Sequence, residues 1–219
     1  MTKVKICCIQ SIEEAQIAID NGAYAIGLVS KMPSGPGVIS EDKIKEIAKW
    51  APENIKTVLL TSLRNPQEII AQQKYCQTNT IQLVDSQKIG TYKVLRTELP
   101  NVQIIQVIHV IDDSSVSESL VLEKYVDMLL LDSGNPKLET KELGGTGRTH
   151  NWRISREIVN EVDIPVFLAG GLTTDNVTGA IERVKPFGVD VCSGVRTDEK
   201  LDVNIVKLFI QNVWLSLPD

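Results

Sequence analysis

The chain has 219 residues, 42% hydrophobic and 23% charged, with a formal net charge of -5 and a pI of about 5.2. That acidic balance excludes a broad basic surface for nucleic acid, while leaving room for a small phosphate pocket. No apolar stretch approaches bilayer-spanning length, and Met1–Ile6 leads into a strand pattern without a signal-peptide core, so a cytoplasmic protein with no membrane partner is expected.

In chain order, Val4–Ile9 reads as a first strand, apolar except for Lys5. Ser11-Ile12-Glu13-Glu14 is a capping box, with Ser11 as cap and Glu14 reaching back, and the helix it opens ends near Asn21-Gly22. Tyr24–Val29 is a second strand, followed by a loop punctuated by Pro33, Gly35, Pro36 and Gly37 and a helix over Ser40–Trp50. Ile55–Leu60 is a third strand, and Asn65-Pro66 places a cap and a first-turn proline before the next helix. Strands follow at Thr80–Val84, Gln103–Val110 and Val126–Leu131, with helices over about 88–98 and 114–124 between them. A long segment, Asp132–Trp152, precedes a helix carrying Ile154, Ile158 and Val162. The seventh strand, Ile164–Ala169, breaks at Gly170-Gly171 and resumes as a helix with Thr173 or Thr174 placed to cap it. The eighth, Gly188–Cys192, ends in Ser193-Gly194, and a last helix covers about 203–214.

Eight apolar strands alternating with helices fit a parallel sheet buried on both faces. A doubly wound open sheet shows the same alternation. The count of eight and the small-residue turns after the last two strands favour closure into a single-domain (β/α)8 barrel spanning 1–219. Those turns, Gly170-Gly171 and Ser193-Gly194, stand where such barrels hold phosphate, because glycine lets an anion approach backbone N–H groups closely.

Active residues of a barrel sit at the C-terminal strand ends. The rule selects Cys7-Cys8, Gln82-Leu83-Val84-Asp85, His109, Asp132 and the Gly144-Gly145-Thr146-Gly147 loop. Alternation places Lys5 on the same strand face as Cys7, towards a polar barrel interior or an unpacked edge. Each also has a plain structural reading: a cysteine in a strand is usually a small core residue, Asp132 could cap a turn, and His109 could be structural. The four cysteines lack Cys-x-x-Cys spacing and have two histidines for company, so reduced thiols and no metal site are expected. No Ser-His-Asp set, dinucleotide fingerprint or Walker loop is present.

Lys5-Ile6-Cys7, Gly27-Leu28-Val29, Gln82-Leu83, Leu130-Leu131-Asp132, Gly144-Gly145-Thr146-Gly147 with Asn151-Trp152, Ala169-Gly170-Gly171-Leu172 and Val189-Asp190-Val191-Cys192-Ser193-Gly194-Val195 occur in this order along nearly the whole chain. Together they resemble the phosphoribosylanthranilate isomerase family of tryptophan biosynthesis. The resemblance implies a cofactor-free Amadori rearrangement of a phosphorylated small-molecule substrate, with Cys7 matching the general base and Asp132 the general acid. It implies phosphate binding at Gly170, Gly171, Ser193 and Gly194, with Lys5, Gln82, His109, Gly145, Thr146, Arg148 and Arg196 as further substrate contacts. The Gly144–Gly147 loop matches the one that closes over substrate. Three departures stand out: the family's glycine after the base is Cys8, its Gln-Leu-His-Gly is Gln82-Leu83-Val84-Asp85, and its Ser-Pro-Arg loop is Ser34-Gly35-Pro36-Gly37. Without that arginine, a substrate carboxylate needs Lys31, Arg148 or Arg196, or the amine portion differs. Alternatives are an isomerase or lyase of another phosphorylated aminosugar, and a barrel that binds a phosphorylated ligand without turning it over. Monomer and homodimer both remain open.

Overall fold

The computed structural model describes residues 1–134 and 149–215. Eight parallel strands, β1 (Lys3–Ile6), β2 (Ala25–Val29), β3 (Lys56–Thr61), β4 (Thr80–Leu83), β5 (Gln103–His109), β6 (Met128–Asp132), β7 (Val166–Leu168) and β8 (Gly188–Val191), close into a barrel in sequence order. Helices α1 (Ile12–Asp20), α2 (Glu41–Trp50), α3 (Pro66–Cys76), α4 (Ile89–Glu98), α5 (Ser114–Leu122), α6 (Trp152–Glu161), α7 (Val177–Val184) and α8 (Val203–Leu215) follow the strands in turn. The β1–β8 pairing, with Ile6 opposite Val191, is the closure that the alternation alone left open.

The strands are mostly apolar because each face meets its own core. Outward residues such as Ile26, Leu59, Ile81 and Leu129 pack with Ile44, Ile47, Ile158 and Phe209 of the helices. Inward residues, among them Val58, Ile105, Val107, Leu130 and Phe167, fill the barrel. At β8 the glycine is required: a Cβ on Gly188 would lie 2.4 Å from the Phe167 ring. The Phe167 ring meets Phe187 edge-on at 5.5 Å and adds to the interior core.

Local signals account for most helix starts. Ser11, Ser40, Asn65 and Asn151 each accept a hydrogen bond from a first-turn N–H. Helix α7 departs from expectation. Neither Thr173 nor Thr174 caps it; Asn176 holds that position, its side chain turned back to accept from the Thr173 N–H at 2.9 Å and to donate to the Gly171 carbonyl. The helix therefore opens several residues beyond the glycine pair. A hairpin not read from the sequence, β9 (Arg196–Thr197) with β10 (Lys200–Leu201), follows β8, its turn made by Asp198 and Glu199 at φ 48° and 64°. Asp-Glu lacks the glycine that usually signals such a turn.

His150, before α6, contacts the Ser155 hydroxyl through Nε2 at 2.6 Å, and burial pulls its pKa down to about 4 from 6.5. The fold prefers the neutral ring, so its contribution is complete above pH 6.5 and is lost as pH falls towards 4. A loss on the order of 2–3 kcal/mol over that interval is expected. Urea unfolding at several pH values should show a shallower acid decline in His150→Asn than in the parent.

Candidate active site

At the C-terminal mouth, β1 delivers Cys7, whose N–H continues the ladder to the Val191 carbonyl at 2.8 Å. Beneath it lies Lys5, fully buried, its Nζ 2.9 Å from Asp190 Oδ1 on the neighbouring strand. The interior reading of Lys5 holds. Gly27 makes room for this pair, since a Cβ there would fall 2.8 Å from Cys7 Sγ and 3.2 Å from Lys5 Nζ. Burial, the largest influence on Lys5, works against its charge, but Asp190 and the nearby thiols outweigh it and hold the ammonium firmly protonated.

The Cys7 thiol lies below its ordinary pKa. The largest cause is a hydrogen bond from Cys8; burial opposes it and the Lys5 charge reinforces it. Cys8 moves the other way, raised by its hydrogen bonds with Cys192 and Cys7 and by burial. Asp132, at the end of β6, is raised by burial, partly offset by the Ser133 N–H donating to Oδ1 at 2.7 Å and by His109 beside it. One cavity is thus lined by a thiol inclined to lose its proton and a carboxyl inclined to keep one.

Gln82, Gly170, Gly171 and Ser193 line that same cavity. Gly170 and Gly171 have φ 83° and 61°, a left-handed pair that turns backbone towards the mouth. Gly194, in the second turn, stands so close to the first that a Cβ would lie 2.0 Å from the Leu172 carbonyl oxygen. Because the obstruction is backbone, Gly194→Ala is expected to displace both turns, weakening inorganic phosphate binding at least tenfold by calorimetry.

Three expected contacts are not on the cavity wall. Lys5 lies a layer below. His109 donates from Nε2 to the Val84 carbonyl at 3.0 Å. Arg196 is held by the protein itself: its guanidinium donates to both Glu14 carboxylate oxygens at 2.9 and 2.8 Å and to the Cys8 and Glu199 carbonyls. These bonds tie the loop after β8 to the loop after β1, while the buried Nε has no hydrogen-bond partner. Glu14 adjusts accordingly, accepting from Gln10 N–H rather than from its cap residue, and from Leu201 N–H. Gly145, Thr146 and Arg148, with the rest of the Gly144–Gly147 loop, lie outside the described residues.

Two residues not selected as site residues from the sequence also line the mouth, Asp190 and Cys192. An acid in phase with Lys5 on an apolar strand was the available signal for Asp190. The departures at Cys8 and the loop after β2 prove to be one feature. Cys8 sits at φ 62°, its thiol points to the Pro36 carbonyl at 3.6 Å, and a Cβ on Gly37 (φ 77°) would lie 2.4 Å from the Cys8 Cβ. Gly37→Ala is expected to cost about 1–3 kcal/mol, part of it returned in a Cys8→Gly background, as a double-mutant cycle in urea would measure.

The closed barrel is a (β/α)8 fold of the enzyme kind, with a thiol and a carboxyl suited to acid–base chemistry in one cavity at its mouth. The family model described as N-(5'-phosphoribosyl)anthranilate isomerase matches residues 4–212. The enzyme of that name from Methanocella arvoryzae is 34% identical, covering 99% of this chain and all of its own length. N-(5'-phosphoribosyl)anthranilate isomerase 2 of Methanosarcina mazei is 36% identical over 93% of this chain and 92% of its own. The Thermotoga maritima crystal structure superposes with a TM-score of 0.82 at 29% identity, covering 98% of this chain and 99% of that one. Another phosphoribosyl anthranilate isomerase structure, holding reduced 1-(o-carboxyphenylamino)-1-deoxyribulose 5-phosphate, superposes at 0.80 with 27% identity, over 98% and 99% of the two chains. The chain belongs to the N-(5'-phosphoribosyl)anthranilate isomerase family, the isomerases of tryptophan biosynthesis.

Proposed function

We infer that Cys7 and Asp132 carry the family's Amadori rearrangement in this chain, on N-(5'-phosphoribosyl)anthranilate. The observation that supports this most directly is their shared cavity with opposed proton preferences, between the two glycine turns. In this reading the phosphate rests on backbone N–H groups of Gly170–Gly171 and Ser193–Gly194. The late start of α7 makes those N–H groups, rather than the helix dipole, the main attraction. Asp132 gives its proton to the furanose oxygen, the C1–O bond breaks, and the amine lone pair forms the iminium. The Cys7 thiolate removes the C2 proton, the electron pair moves to the iminium, and the enolamine becomes the ketose. The oxidation of C2 balances the reduction of C1 within one molecule, so no external electron acceptor enters. Gln82, whose Oε1 is buried without a hydrogen-bond partner, faces this cavity and suits a sugar hydroxyl.

The amine end remains a matter of charge. With Arg196 held by Glu14, Lys31 in the loop after β2 and Arg148 are the cations proposed to meet an anthranilate carboxylate. The loop without arginine also supports a second reading, a phosphorylated aminosugar with an uncharged amine. Fluorescence turnover with freshly generated phosphoribosylanthranilate separates the two. Turnover together with a several-fold higher KM in Lys31→Gln supports the first, and absent turnover with inorganic phosphate still bound supports the second.

A further inference from the structure

Besides the base, two more thiols stand at this mouth. Cys8 follows Cys7 in the chain, and Cys192 follows the β8 residue paired with Ile6 of β1, so the three cysteines gather at one place. All three line the cavity, and Cys192 is the most exposed of them. The backbone sets the spacing: Ile6 lies opposite Val191 in the β1–β8 ladder, and Cys7 N–H bonds to the Val191 carbonyl, so the two cysteine positions continue adjacent parallel strands. Cys8 then turns left-handed at φ 62°, out of the strict alternation that would send its side chain away from the barrel. The rearrangement uses one thiol and leaves the other two without a role.

We propose that Cys7, Cys8 and Cys192 form a thiol relay that takes up a peroxide equivalent and stores it as a reversible Cys8–Cys192 disulfide, switching the isomerase off. Its steps balance. The Cys7 thiolate attacks hydrogen peroxide, the O–O bond breaks, hydroxide leaves and is protonated to water, and the sulfur becomes a sulfenic acid. The Cys8 sulfur attacks that sulfur as its S–H proton passes to the sulfenic oxygen, the S–O bond breaks, and a second water departs. Two thiols are then oxidised and one peroxide is reduced. Cys192 thiolate next attacks the Cys8 sulfur and expels Cys7 thiolate, with no net transfer of electrons.

The direction of the last step follows from the surroundings. Cys7 is held as thiolate more readily than Cys8, which makes it the first nucleophile and the better leaving group of the two. Cys8, held protonated, keeps its new bond. The disulfide removes the Cys8 S–H that supports the Cys7 thiolate, so the base is blunted without being destroyed.

The test is peroxide titration of the purified protein, followed by alkylation of free thiols and peptide mapping. Expected are a Cys8–Cys192 linked peptide pair, a free and alkylated Cys7, a large loss of turnover, and recovery of both thiols and turnover with dithiothreitol. In Cys192→Ser the oxidation should stop at a Cys7–Cys8 bond or proceed to Cys7 sulfinate. Wild-type protein that carries Cys7 sulfinate while Cys8 and Cys192 are both alkylated overturns the relay, as does a linked pair whose formation leaves turnover unchanged. The mapping reads thiols rather than catalysis, so it decides the disulfide independently of the substrate assignment.

Discussion

Cys7→Ala is expected to lower kcat by roughly 10²- to 10⁴-fold with KM changed only a few-fold, because in the proposed mechanism the thiolate acts on the C2 proton and holds no part of the phosphate. Asp132→Asn should fall by a similar factor, since an amide fills the same space but has no acidic proton to give. The pH profiles distinguish these losses from general damage. The active form pairs an ionised Cys7 with a protonated Asp132, so kcat/KM of the parent should trace a bell. Asp132→Asn should lose the descending limb, its residual rate rising with pH to a plateau as Cys7 ionises. In Cys7→Ala the rising limb should vanish instead. Both variants keeping full turnover would remove these residues from the chemistry.

The barrel was legible because its signals are local and repeated. Apolar runs broken at regular intervals, Ser11 and Asn65 as caps, and glycines after the last two strands each specify a neighbourhood of a few residues. Closure was a matter of counting. The Asn176 cap was missed because Thr173, Thr174 and Asn176 are all competent cap residues, and the choice fell to the bond from Asn176 to the Gly171 carbonyl, which depends on the turn already formed. Arg196 shows the limit more sharply. A cation beside the phosphate turn reads naturally as a ligand contact, and only the fold reveals that Glu14, 182 positions away, claims it. Cys8 and Gly37 looked like two independent departures and are one steric arrangement. Charged partners and close contacts between distant segments are what a linear pattern conveys least.

Lys5→Met offers the largest expected effect on stability. The substitution keeps the length of the side chain but leaves the Asp190 carboxylate, almost wholly buried, without its counterion. Losing one partner of such a pair costs about 3–5 kcal/mol, and for a chain of this size the midpoint of thermal unfolding should fall by roughly 6–20 °C. Lys5 titrates higher in the fold than its ordinary 10.5, so the pair's contribution is fully present below that pH and is lost only at more alkaline values. An assay at pH 7 therefore reads all of it. The double variant Lys5→Met with Asp190→Leu should recover most of the lost stability, since two buried charges are replaced by apolar groups of similar volume. It should not recover the base. The Lys5 cation helps to hold Cys7 as thiolate, so the alkylation rate of the Cys7 peptide should rise at higher pH in both variants than in the parent. A double variant with recovered stability and an unshifted Cys7 alkylation profile would make the pair a purely structural brace. A shifted profile would show that the charge buried beneath β1 is kept for the chemistry above it.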